Sequence, residues 1–221
     1  FLLAAALNVS DLADFKAAFP SAVTVESPSG GRLTHASGFA APRLGRTPET
    51  AARAFLARYG GAFGVVPREE LVPRSALALG QPGSVRFERR IDGLPIFDAD
   101  LTLGVDTTNA VILVNAADVP TEVRGSARIS RKAAIRAAKA GIPNLETSDY
   151  PHAARGWKGT GQVIRPVWRV DFTAAQPAGD WRTYVDAETG NILMRVNLRT
   201  YGSAGSGINP NDSAVQPTPR R

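Results

Sequence analysis

Residues 85–114 read VRFERRIDGLPIFDADLTLGVDTTNAVILV, from Val85 to Val114. Val85 and Phe87 alternate with charged residues and lead through Ile91 to Asp92-Gly93. An Asp-Gly pair between two alternating runs predicts a β-hairpin, because a two-residue type I′ turn needs φ > 0 at both central positions. Beyond the turn, Phe97, Ala99, Leu101, Leu103 and Val105 share one face, and Asp98, Asp100 and Thr102 share the other. That period of two describes a strand with one buried and one wet side. Asp106–Asn109 supplies a second turn and Val111–Val114 a third strand. Three antiparallel strands with a single apolar face need a cover.

The cover lies upstream. Thr47-Pro48-Glu49 starts a helix: Thr47 caps, proline suits the first turn, and Glu49 sits at the positive helix end. Ala51, Ala52, Phe55, Leu56 and Tyr59 recur at intervals of three and four, forming one apolar face that Gly60-Gly61 terminates. Phe63, Val65 and Val66 are expected beneath it. Further upstream, Ser10-Asp11 caps a short helix through Phe19 that Pro20 ends, with Leu12 and Phe15 on one side. Val23 and Val25, then the turn-rich Ser27–Gly31, then Leu33 and Ala36 read as a small hairpin. Pro67–Gly83 reads as a connector with a short strand near Leu77–Leu79.

Pro120–Gly125 is polar and breaks the pattern, so a boundary is expected there. Ser130 caps a second helix, RKAAIRAAKA, closed by Gly141 and Pro143, with a thin apolar face of Ala134, Ile135 and Ala138. Asn144–Gly161 reads as a long polar loop. Val163–Phe172, Arg182–Val185 and Ile192–Val196 read as strands, the last two joined by the turn Asp186–Gly190. A helix on a three-stranded antiparallel sheet results, repeating the layout of the first half without any residue-level repeat. The expected organisation is an N-terminal segment, 1–22; one domain, 23–120; a second, 121–200; and a Gly- and Pro-rich tail, 201–221.

Composition narrows the function. With 43% hydrophobic and 21% charged residues over 221 positions, the chain is globular in character. No run of 18 apolar residues exists, so no membrane span is expected. Phe1–Leu7 is apolar but short, and reads equally as the end of a signal peptide or as a buried first segment. Cysteine is absent, which excludes disulfides and thiolate metal sites. The net charge is +6, but the 26 Lys and Arg are scattered without a run longer than three, so nucleic acid is not an expected partner.

Catalytic patterns are missing. His35 and His152 are unaccompanied, and no His-Glu-x-x-His, phosphate-cradling glycine loop or Gly-x-Ser-x-Gly elbow occurs. Asp98 and Asp100 share a strand face, where paired carboxylates serve acid–base chemistry or calcium but more commonly face water. Asp186, Glu188 and Thr189 fit a polar turn better than a cation loop, with Gly190 in the φ > 0 position. Trp168 and Trp181 on adjacent strands fit packing better than a ligand platform. No catalytic residue, metal ligand or cofactor is expected.

The run Val85–Phe97, with its Asp92-Gly93-Leu94-Pro95 turn, resembles the core of the fungalysin/thermolysin propeptide (FTP) domain, and the helix from Thr47 with Phe63-Gly64-Val65 resembles the element preceding it. Val167–Asp171 and Asp180–Leu193, containing Trp181-Arg182 and Val185-Asp186-Ala187-Glu188-Thr189-Gly190, resemble the PepSY-type module found after that domain. One departure stands out: Arg89 or Arg90 replaces the glutamine common before the turn. The resemblance implies an α+β fold of two modules, each an antiparallel β-sheet packed against an α-helix (cystatin-like/PepSY-like). It implies a propeptide of a secreted bacterial zinc metallopeptidase, extracellular or periplasmic, that inhibits the catalytic domain and assists its folding. The implied partner is that catalytic domain. The alternative is a non-catalytic secreted or surface binding module that reuses these domains. Ile208, Asn209, Pro210 and Asn211 form the candidate protease-contacting tail, and Arg220-Arg221 the candidate processing site.

Overall fold

The computed structural model describes residues 9–42, 44–76 and 83–199. Helix α1, Val9–Ala18, leads into a hairpin of β1, Val23–Glu26, and β2, Leu33–Ser37. Helix α2, Pro48–Tyr59, runs into a 3-10 turn, Gly60–Phe63. Then come β3, Glu69–Ala76; β4, Gly83–Ile91; β5, Leu94–Phe97; β6, Leu101–Val105; and β7, Val111–Ala116. The second half holds β8, Glu122–Val123; α3, Arg131–Lys139; β9, Glu146–Thr147; β10, His152–Thr160; β11, Val163–Gln176; β12, Gly179–Asp186; and β13, Ile192–Asn197. The architecture is α+β, and mostly β-sheet.

Helix α2 begins as its sequence predicts. Thr47 Oγ1 accepts the Thr50 amide, and Thr50 Oγ1 accepts the Thr47 amide, completing a capping box. Its apolar face lies on β4, β6 and β7. Phe15 from α1 meets Phe39, Phe55, Tyr59 and Phe63 with ring centroids 5.4–6.3 Å apart, mostly edge to face. Phe15, Phe55, Phe63, Phe87, Leu101 and Leu103 are buried to within 1% of full burial. Each such side chain contributes about 1.5–3 kcal/mol from transfer alone. The covering helix thus seals the face that the alternation of Val85–Val105 created.

In the second half, α3 covers β10, β11 and β12. Its contact row is Ala134 and Ala138, both fully buried against Ala153, Val170, Phe172 and Val185. Alanines let the helix approach the sheet closely. Ser130 caps it by accepting the Ala133 amide at 3.2 Å.

Four expectations change. Helix α1 already includes Val9, so Ser10 lies inside it rather than at its cap. The connector after Pro67 contains an eight-residue strand, β3, paired along β4; Pro73 is tolerated because β3 is an edge with an irregularity between Pro73 and Ser75. Leu77–Leu79 lies outside the described residues. The expected loop 144–161 contains β10, a nine-residue strand, so the second half has four long strands in the order β10-β11-β12-β13. Finally, the single strand expected after Gly93 is two. Ile91 stands opposite Leu94 and Phe87 opposite Leu101, so three extra residues are inserted between β5 and β6. The excursion turns at Asp98, whose φ is +56°. It frees Ile96 and Phe97 to pair in parallel with Trp157 and Lys158 of β10. Hydrogen-bonded pairing therefore runs from the first half into the second. Ile91, Ile96 and Ala99 share a core with Val119, Trp157 and Ile164 across that join.

Candidate functional site

The β4–β5 hairpin is built as its Asp-Gly turn requires, with φ of +53° at Asp92 and +73° at Gly93. Upstream, Val85, Phe87, Arg89 and Ile91 form one buried row. Arg89 therefore occupies a core position. Its Nε and Nη2 donate to Glu69 Oε2 and Oε1, both at 2.7 Å, and Nη2 also donates to the Gly64 carbonyl at 2.6 Å. Both side chains are fully buried. The fork ties the turn after α2 to β3 and β4 at one point. Arg90, on the other face, donates to Glu88 at 2.5 Å, so of the two arginines before the turn Arg89 is the buried one.

A second cluster closes the join between the halves. Asp98 Oδ2 accepts Lys158 Nζ at 2.6 Å and the Tyr184 hydroxyl at 2.9 Å. Lys158 Nζ lies 4.5 Å from the Tyr184 ring centroid, and the Arg169 guanidinium 4.7 Å from that of Phe97. Arg182 grips Asp171 with two bonds of 2.8 and 3.2 Å. Burial pushes the Asp98 pKa up, but the hydrogen bond and charge of Lys158, with the Tyr184 hydroxyl, bring it below the usual carboxylate value. Burial, then the Asp98 charge and hydrogen bond, drive the Tyr184 hydroxyl well above its ordinary value. Tyr184 stays protonated and Asp98 ionised across the neutral range. The cluster ties the excursion between β5 and β6 to β10 and β12. Asp98 is therefore engaged, not simply solvated, and Asp100 is paired separately with Arg86.

The remaining sequence candidates are accounted for locally. His35 Nδ1 meets Asn115 Oδ1 at 2.7 Å and Nε2 meets Ser37 Oγ at 2.9 Å, whereas His152 stands exposed on β10. Asp186 Oδ1 accepts the amides of Glu188 and Thr189, and Gly190 has φ +84°, making this loop a turn. Trp168 and Trp181 pack beside the α3 core and donate to the Ile129 and Pro177 carbonyls. Among the described residues no three His, Asp or Glu side chains group to hold a metal, and no helix is long and apolar enough to cross a membrane. The tail candidates Ile208, Asn209, Pro210 and Asn211, the candidate processing site Arg220-Arg221, and Phe1–Leu7 lie outside the described residues. Sequence reasoning missed Glu69, Lys158 and Tyr184, which reach their partners across 20, 60 and 86 positions.

Among the described residues, β1, β3 and β13 are each paired along one side only. On β1, Val23 and Val25 are 63% and 52% exposed, and on β13 Ile192 and Met194 also face solvent.

Residues 78–117 match the model of the Fungalysin/Thermolysin Propeptide Motif. The matched residues take in the β4–β7 meander and the excursion at Asp98. No curated protein matches the chain in sequence. Among solved structures, the Bacillus megaterium YpeB C-terminal domain matches over 81% of this chain and 83% of its own, at 14% identity and a TM-score of 0.33. That correspondence is too loose to bear on fold or function.

Proposed function

We propose that this chain is the propeptide region of a secreted thermolysin- or fungalysin-type zinc metallopeptidase, inhibiting the catalytic domain and assisting its folding. The propeptide motif over residues 78–117 is the observation that carries this reading. The physical construction supports it. Arg89–Glu69 anchors β4 to β3, and Asp98–Lys158–Tyr184 anchors the excursion between β5 and β6 to β10 and β12; a folding template needs a surface that is set before its client arrives. The exposed edges β1 and β13 offer backbone groups that an extended segment of a partner can pair with. In this reading residues 23–120 form the FTP-like module and 121–200 the PepSY-like one. The tail from Ile208 to Asn211 crosses the peptidase cleft, and Arg220-Arg221 is cut on maturation.

The test titrates the purified chain against the mature peptidase encoded with it. Tight, saturable inhibition is expected, together with a higher yield when the denatured catalytic domain is refolded in its presence. No inhibition at micromolar chain, with an enzyme shown to be active, would overturn the reading.

A further inference from the structure

The whole charge excess of the protein sits on one segment. Between Val123 and Leu145 there is no acidic residue, while Arg124, Arg128, Arg131, Lys132, Arg136 and Lys139 all fall there. Those six equal the net charge of +6, so the other 20 cations are balanced by the 20 carboxylates. Arg124 and Arg128 pair with Glu122 and Glu188. The four on α3 have no carboxylate partner among the described residues; Lys139 reaches only Thr147 Oγ1, at 3.4 Å. Arg131, Lys132 and Arg136 are exposed.

Two of these cations stand where they cost the helix stability. Arg131 and Lys132 occupy the first turn of α3, which holds no acidic residue, and they face the positive end of the macrodipole. At the other end Arg195 adds a cation, donating to the Ala138 and Ala140 carbonyls at 2.8 Å each. No carboxylate within the described fold forms an ion pair with the cations of the first turn. An anionic partner would. Beside it, Tyr150 is 83% exposed and lines a groove with Arg131, Lys132, Ile135, Lys139 and Pro151. The one carboxylate there, Asp149, accepts the Thr173 amide.

We propose that the outer face of α3, with Tyr150, docks a carboxylate-rich surface of a protein partner; on the propeptide reading, on which this rests, that partner is the peptidase catalytic domain. Arginine and tyrosine are, with tryptophan, the residues enriched at the energetic centres of protein–protein contacts. A lipid surface fits less well, because the apolar face of α3, Ala134 and Ala138, is already fully buried in its own core and cannot insert. A duplex fits less well, because nine residues span only about 13 Å.

The experiment compares the parent chain with the quadruple variant R131Q/K132Q/R136Q/K139Q and the single variant Lys132→Glu. Binding to the peptidase domain is measured across salt concentrations. The quadruple variant is expected to bind about tenfold or more weakly at low ionic strength, the gap closing as salt rises. Lys132→Glu is expected to weaken binding while its Tm equals or exceeds the parent's, a pairing that general damage to the fold does not produce. Equal affinity and equal salt dependence in parent and quadruple variant would overturn the docking face while leaving the propeptide reading intact. Absence of binding by the parent itself would overturn both. Tighter salt-dependent capture of the parent by phosphatidylglycerol vesicles or duplex DNA than by the peptidase domain would overturn the assignment to a protein surface.

Discussion

At Arg89 and Glu69 both side chains are shut away from water, and each depends on the other. Removing one leaves the other buried and uncompensated, so Glu69→Ala is expected to cost about 3–5 kcal/mol. The double variant Arg89→Met/Glu69→Leu is expected to recover most of that loss, as read from urea midpoints at constant m. Asp98 behaves differently because it reaches solvent. Its pKa in the fold is depressed below 3.8, so the stability it contributes is present above that value. It is lost as pH falls through the lower folded value. Asp98→Asn keeps a residue that tolerates positive φ while removing the charge. The Tm difference between parent and D98N is expected to be largest near neutral pH and to shrink below about pH 4; a difference independent of pH would contradict the tie. Neither cluster was legible as a site. Asp98 carries an outward-facing parity, and the partners that engage it lie 60 and 86 positions away.

Elements whose signals are local were legible: the Asp92-Gly93 hairpin, the Thr47 cap with the apolar face of α2, and the Ser130 cap of α3. Strand β10 was not, because HAARGWKGT has no alternation and two glycines that read as loop. Those glycines mark close approaches instead. A β-carbon at Gly156 would stand 2.5 Å from Phe97 Cε2 and 2.6 Å from the Pro95 carbonyl oxygen. Gly156→Ala is therefore expected to destabilise by about 1–3 kcal/mol or more. Faster amide exchange at Trp157 and Lys158, where β10 meets β5, would locate the damage. Strand β3 stayed hidden because Pro73 argues against a strand until one knows that it lies on an edge. The basic face of α3 escaped notice because its cations are not contiguous. Helical spacing gathers what the linear order disperses.

Over the whole molecule, the helix-covered antiparallel strands of each half were legible, but the joining of the halves was not, since a parallel pairing of two residues leaves no periodic trace. The three tryptophans, Trp157, Trp168 and Trp181, all lie in the second half. The fluorescence of Trp168 and Trp181 therefore reports on that half and that of Trp157, whose Nε1 donates to the Ile91 carbonyl, on the join, whereas far-UV circular dichroism reports on both halves in full. With a core shared across the join, the two probes are expected to give coincident urea transitions; separated midpoints would mean that the halves unfold independently. The excursion between β5 and β6 has a consequence for such chains in general. The ladder on its near side is set by the hairpin and that on its far side by Phe87 and Leu101, so its length is free of both. Shortening it would leave the meander folded yet withdraw Phe97 from Gly156. The spacing from Gly93 to Leu101 is thus a ruler: it decides whether a meander of this kind stands alone or is welded to a downstream neighbour.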